Sequence, residues 1–163
     1  AKEGVLKAGG EAHAISLNEI NIKSCKACEN GWGICRTQHK CIIDDDFAKV
    51  QQQIAESDAL FIITPVYWGE MSEVSKSFFD RLRRCEASKN FANKDDVSIL
   101  SGKNVVWVAA AGGSGNGTIT CLLQMENLCK HIRADILDRI TVTRFNRRYK
   151  MDTIFEAGYE AVT

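Results

Sequence analysis

ALFIITPVYWGEM, residues 59–71, is the stretch that decides the fold. Its first six residues are apolar almost without interruption, with none of the alternation expected of a strand wetted on one side. That is the pattern of a short parallel strand covered on both faces. Pro65, the only proline in the chain, fixes φ and lacks an N–H, so strand pairing is expected to end there. Val66, Tyr67, Trp68 and Gly69 then form a turn carrying two aromatics. A helix is predicted over residues 72–86, because Val74, Phe78, Leu82 and Cys85 recur at helical spacing.

The same alternation extends in both directions. Downstream, NVVWVAA (residues 104–110) is a second uninterrupted apolar run. AAGGSGNGT ends it and opens a helix over residues 118–132, with Ile119, Leu122, Met125, Leu128 and Ile132 on its apolar side. A last strand over 136–142 and a last helix over 152–162 complete that half. Upstream, Asp44, Asp45 and Asp46 offer an N-cap and favourable charge for a helix over 47–57, with Phe47, Val50 and Ile54 inward. Before them, residues 18–46 form a long polar connection, EAHAISL (residues 11–17) is a predicted strand, and AKEGVLKAGG has the look of a helix end stopped by Gly9 and Gly10. Strands alternating with helices, the clearest strands apolar throughout, predict an α/β fold with a doubly wound parallel sheet.

Bulk properties narrow the function. The 163 residues carry 21 basic and 21 acidic side chains, so no general attraction to nucleic acid or to an anionic membrane is expected. No apolar run approaches the roughly 20 residues that span a bilayer. Seven cysteines are many, but four fall within seventeen residues and three sit in predicted helices. This odd, clustered set suits a reducing cytoplasm better than a secreted disulfide scaffold.

Three segments could carry chemistry. Ligands of open parallel sheets bind beyond the carboxyl ends of the strands, where both unusual turns fall. Tyr67 and Trp68 could cover a flat heterocycle, with backbone groups of Pro65, Val66 and Gly69 meeting its polar edge, or could simply anchor the turn on the core. Ala111, Gly112, Gly113, Ser114 and Gly115 belong to a glycine-rich turn in which backbone could approach a ligand closely. The spacing makes neither the dinucleotide fingerprint nor a Walker loop, since Thr118 stands where a third glycine or a lysine is needed; the alternative is a flexible strand-to-helix connection. Cys25, Cys28, Cys35 and Cys41, with His39 nearby, could hold an iron–sulfur cluster or zinc, form a thiol–disulfide pair, or be inert. Cys85, Cys121 and Cys129 read as small core residues. TRFNRRYK (residues 143–150) is a basic run that could meet a cofactor phosphate or an acidic redox partner, or be merely solvated. No histidine stands in a hydrolytic triad pattern.

PVYWGEMSEVSKSFFDRL, together with the cysteines upstream of CIIDDDF and the later AAGGSGNG, resembles NADPH-dependent FMN reductase-like proteins and iron–sulfur flavoproteins, in the same order along the chain. The resemblance implies a flavodoxin-like fold with FMN bound non-covalently above the sheet. Pro65, Val66, Tyr67, Trp68 and Gly69 would line the isoalloxazine ring on one side. Gly112, Gly113, Ser114 and Gly115, following Ala111, would lie along the other. Because the flavin itself accepts hydride, no protein acid or base is required.

Two departures accompany the resemblance. Such proteins begin with a strand and a serine-rich, phosphate-wrapping loop, neither of which is present. The expectation is therefore one flavodoxin-like domain over residues 1–163 that is incomplete on its N-terminal side. Iron–sulfur flavoproteins also place their third cysteine two residues after the second, where this chain has Gly31, so a four-iron cluster does not carry over directly. The function expected is an FMN-dependent oxidoreductase moving electrons from NAD(P)H to a quinone, a flavin or a similar small acceptor. The alternatives are an electron carrier that docks with a redox protein, and a zinc-stabilised scaffold. Relatives of this kind commonly form dimers or tetramers, so a homo-oligomer is expected.

Overall fold

In the computed structural model, residues 1–89 and 93–163 are described; the part of the polar stretch at 90–92 lies outside the described residues. The elements run α1 (Lys2–Lys7), a 3-10 turn at Leu17–Glu19, α2 (Cys28–Gly31), α3 (Phe47–Glu56), β1 (Ala59–Tyr67), β2 (Glu70–Met71), α4 (Glu73–Glu86), β3 (Asn104–Ala111), α5 (Thr118–Ile132), β4 (Asp135–Thr143) and α6 (Arg147–Glu160). One sheet has the order β2-β1-β3-β4. β1, β3 and β4 are parallel, while β2 turns back on the tip of β1 with Val66 opposite Met71.

β3 lies between β1 and β4 and is buried on both faces, as its continuous apolar run requires. Val105, Trp107 and Ala109 enter a large core with Phe47, Phe78, Leu82, Cys121 and Met125 from α3, α4 and α5. Val106 and Val108 face the other way and pack with Ile140 of β4 and Ile154 of α6. Cys85, Cys121 and Cys129 are buried in the larger core, as expected. This is the doubly wound, flavodoxin-like arrangement, and it sets the carboxyl ends of β1 and β3 side by side. Among the described residues no helix is long and apolar enough to cross a membrane.

The structure corrects four expectations. Residues 11–17 form no strand. Strand backbone needs a ladder partner; among the described residues these have none, and of them only Leu17 packs on the larger core. Pro65, level with Ala110, is the last residue of β1 in the parallel ladder with β3, but the strand does not stop there: it runs on to Tyr67 through its pairing with β2. β1 borders the parallel part of the sheet, and edge strands tolerate a missing N–H. The last helix starts at Arg147, five residues early, because Asn146 and Thr143 close the turn before it. Ile119 is 64% exposed rather than part of the α5 core face.

Asp46 also does not cap α3 through its side chain. Its neighbour Asp45 accepts from the Phe47 N–H instead, at 3.1 Å, while Asp46 accepts from the N–H of Asn21 at 2.8 Å. The aspartate run thus fastens the cysteine-bearing connection to the start of α3.

Candidate functional site at the carboxyl edge of the sheet

Residues 66–71 form a hairpin whose two-residue turn is Trp68-Gly69. Both have positive φ, 53° and 83°, the backbone shape that fits the twist of two paired strands. Gly69 takes it without strain; a bulky residue rarely does. Trp68 nevertheless holds it with its indole fully exposed, and Tyr67 beside it is 58% exposed. These aromatics do not anchor the turn on the core. The turn is held from beneath by buried hydroxyls: Thr64 Oγ1 accepts from the Ser72 N–H at 3.0 Å, and Ser72 Oγ donates to Ser75 Oγ at 3.0 Å.

The glycine-rich turn leaves β3 next to it. Ala111 is the last residue of β3, and nothing among the described residues lies within 4 Å of where a side chain would sit on Gly112 or Gly113. The backbone there is bare toward the open side. Thr118 Oγ1 donates to the Gly115 carbonyl at 2.8 Å, and Ser114 Oγ accepts from the Asn116 N–H at 3.3 Å, fixing the far half. The two turns touch at Gly117 and Gly69, where a Cβ on Gly117 would stand 2.7 Å from the Gly69 Cα. The structure thus brings together the aromatic turn and the glycine turn that the sequence singled out.

An open cleft of about 280 Å³ lies on the other side of β1, lined by Pro65, Tyr67, Asn18, Ile22, Ser24, Ser72, Glu73, Val74 and Ser77. The glycine turn does not line it. The set suits a ring with a polar tail: exposed aromatics and bare backbone above the strand ends, hydroxyls and an amide in the cleft beside them. The basic run lies beyond β4, where Thr143 packs against Gly115. Arg144, Arg147 and Arg148 are exposed.

Cys25, Cys28, Cys35 and Cys41 all line one small pocket, with Arg81 and Arg84 of α4 as its cationic wall. The loop reaches this shape through left-handed backbone at Ala27, Glu29, Asn30 and Gly31. Arg84 Nη1 donates to the Gly31 carbonyl at 2.9 Å, and Arg81 Nε donates to Cys41 Sγ at 3.3 Å. Burial raises the Cys35 thiol, Arg84 opposes this, and Cys41, Cys25 and Cys28 add to the rise. Among the described residues no three His, Cys, Asp or Glu side chains are close enough to share one metal ion. His39 is turned to other work: Nδ1 lies 3.1 Å from the Cys85 carbonyl and from Ser88 Oγ, and Nε2 lies 2.9 Å from Asp96 Oδ1. A single zinc ion therefore does not fit this arrangement, in which the four thiols are spread around one pocket beside two guanidiniums.

Sequence reasoning missed the buried pair Arg81–Asp45 and the hydroxyls of Thr64, Ser72 and Ser75. Burial alone would push the Asp45 carboxyl up. Hydrogen bonds from Arg81 and from the N–H groups of Lys23 and Phe47 outweigh it and hold the carboxyl at about 2. The signal was present, because Arg81 falls on the apolar stripe of α4, seven residues after Val74.

Comparison with known proteins agrees with this fold. A family described as NADPH-dependent FMN reductase matches residues 1–145. An iron-sulfur flavoprotein of Methanosarcina thermophila is 31% identical over 140 residues, covering 84% of this chain and 65% of that protein. An iron-sulfur flavoprotein of Archaeoglobus fulgidus is 38% identical over 81 residues, covering 50% of this chain and 38% of that protein. The chain thus spans less than two thirds of the length of these curated relatives. Among solved structures, a flavone reductase superposes with a TM-score of 0.69 at 13% identity, over 99% of this chain and 53% of that one.

Proposed function

The chain belongs to the NADPH-dependent FMN reductase family, and from that premise we propose that it binds FMN at the carboxyl edge of its sheet and moves electrons from NAD(P)H to a small acceptor such as a quinone or a flavin. The observation that carries this reading is the adjacency of the two turns. Pro65 is level with Ala110 across a parallel ladder, so PVYWG and AGGSG emerge together at the edge where such sheets take ligands.

FMN, when bound, accepts a hydride and releases electrons one or two at a time. The residues of the chain supply the rest. Tyr67 and Trp68 offer apolar faces to a ring, and Gly112 and Gly113 let backbone approach it with no side chain between. Ser24, Ser72, Ser77 and Asn18 line the cleft beside Tyr67 with groups that can hydrogen-bond a polar tail. The bare edge of β1, where no strand lies beside residues 59–65 among the described residues, is where this reading expects a further strand and a phosphate-wrapping loop.

The cysteine pocket adds a second centre to the proposal. Cys25, Cys28, Cys35 and Cys41 would ligate an iron–sulfur cluster, in keeping with the names of the relatives and with the two arginines that face the pocket. The pocket and the cleft lie back to back: Ser24, which precedes Cys25, lines the cleft with Pro65 and Tyr67, and its Oγ lies 3.1 Å from Ser77 Oγ on α4. An electron would have only a short distance to cover between them. A homo-oligomer, and either a small acceptor or a redox protein, complete the proposal.

The experiment is the absorbance spectrum and iron content of the anaerobically purified full-length protein, followed by addition of NADH or NADPH. A flavin band bleached by the nucleotide, with iron present, is the expected result. Protein that neither contains FMN nor takes it up would overturn the reading. Bound FMN that is reduced only through a partner protein would favour the electron-carrier alternative.

A further inference from the structure

We infer that Arg81 is the positioning residue of the cysteine pocket, and that its N–H···S bond to Cys41 and its fixed charge set the reduction potential of the cluster held there. The inference rests on the cluster reading above and goes beyond it by assigning the control of that centre to a residue on α4.

Arg81 is placed where stability does not ask for a charge. Its side chain is 1% exposed and that of Asp45 is 0% exposed. A buried ion pair is commonly no more stabilising than apolar residues of the same volume, and Arg81 interrupts an otherwise apolar stripe between Phe78, Leu82 and Cys85. The guanidinium stacks on Phe47, 4.2 Å from the ring centroid. All five N–H donors are engaged. Nη1 bonds Asp45 Oδ2 at 2.6 Å and the Lys23 carbonyl at 2.9 Å. Nη2 bonds Asp45 Oδ1 at 2.9 Å and the Ile43 carbonyl at 3.5 Å. Nε points at Cys41 Sγ at 3.3 Å.

Such a fork is rigid and stays protonated. Asp45 fixes its orientation, the two carbonyls tie it to both flanks of the cysteine loop, and the one remaining donor is left for a sulfur. Arg84, one turn further along α4, supports the opposite side of the loop through the Gly31 carbonyl. Hydrogen bonds to the sulfurs, local charge and burial are the means by which a protein sets the potential of an iron–sulfur centre. A fixed cation with an N–H on a ligating sulfur stabilises the more negative, reduced state. One electron, supplied by the flavin, would be taken up with no bond to Cys41 made or broken and with Arg81 keeping its proton.

The position on α4 also ties this control to the flavin side. Ser77, on the cleft, precedes Arg81 by four residues, a rise of roughly 6 Å along the helix.

The test is a redox titration of the anaerobically purified full-length protein, followed by electron paramagnetic resonance and absorbance, for wild type, Arg81→Lys and the paired variant Arg81→Gln with Asp45→Asn. With iron content equal to wild type, both variants are expected to shift the cluster potential to more negative values, the paired variant further, while the flavin potential stays put. An unchanged cluster potential at full iron content overturns the inference and leaves the cluster reading intact. Wild-type protein with flavin but no iron overturns the cluster reading itself. If the variants do not fold, wild-type protein grown with ¹⁵N-arginine decides the matter. A nitrogen coupling from arginine to the paramagnetic cluster is expected, and its absence overturns the inference.

Discussion

Replacing Gly117 with alanine should loosen the joint between the two turns, and the structure sets the size of the effect. Gly117 has φ +85°, and an added Cβ would stand 2.7 Å from the Gly69 Cα, 3.1 Å from its N and 3.4 Å from Val66 Cγ1. A left-handed conformation costs a non-glycine residue about 1–2 kcal/mol. The overlap is with backbone that cannot swing aside, and overpacking of that kind adds about 1–3 kcal/mol. A loss of roughly 3 kcal/mol corresponds to a melting temperature lower by about 10 °C for a chain of this size. The assay is thermal unfolding of flavin-free protein followed by circular dichroism. Gly113→Ala is the control, since no atom of the described residues lies within 4 Å of its new methyl; its stability should stay within about 0.5 kcal/mol of wild type. If Gly113 faces the flavin, that same methyl should weaken FMN binding although the fold is untouched. Gly117→Ala melting together with wild type would refute the contact between the turns.

Three further predictions follow from other parts of the molecule. Because the Asp45 carboxyl is held at about 2, below its ordinary 3.8, its pairing contributes stability that is fully present above pH 4 and lost as the pH falls toward 2. Urea unfolding between pH 5 and 2 should show this slope in wild type and not in Asp45→Asn, which should also be less stable by about 3–5 kcal/mol at neutral pH; equal slopes would contradict the buried pair. Burial pushes the Cys85 thiol up to about 12 and that of Cys121 to about 11, so alkylation of iron-free protein at pH 8, mapped by mass spectrometry, should mark exposed Cys25 early and spare these two until the protein unfolds. Trp68→Gly should relieve a positive φ and raise the stability of flavin-free protein by about 1 kcal/mol, yet lower FMN affinity measured by flavin fluorescence; unchanged affinity would remove Trp68 from the site.

The parts of the fold that could be read from the sequence were those where burial imposes a pattern. The apolar runs of β1 and β3 and the stripes of α3 and α4 stand in the structure within one to three residues of where periodicity put them. Residues 11–17 misled because alternation reports a face and not a partner, and a strand without a ladder does not form. Pro65 did mark the end of the parallel ladder, but the last two residues of β1 rest on β2, a neighbour that the local sequence does not name. The two turns at the carboxyl edge were legible through composition, because glycines and exposed aromatics at strand ends have few structural uses. Arg81 was legible only as an anomaly: a charge on an apolar stripe reads as an interruption until Asp45, 36 residues away, is seen to meet it.

The central claim is the position of the flavin, and the most direct measurement is a crystal structure of the full-length protein grown with FMN. The isoalloxazine ring should lie in van der Waals contact with both the Tyr67–Gly69 turn and the bare backbone of Gly112 and Gly113. A ring bound elsewhere, or contacting only one of the two turns, would contradict the account.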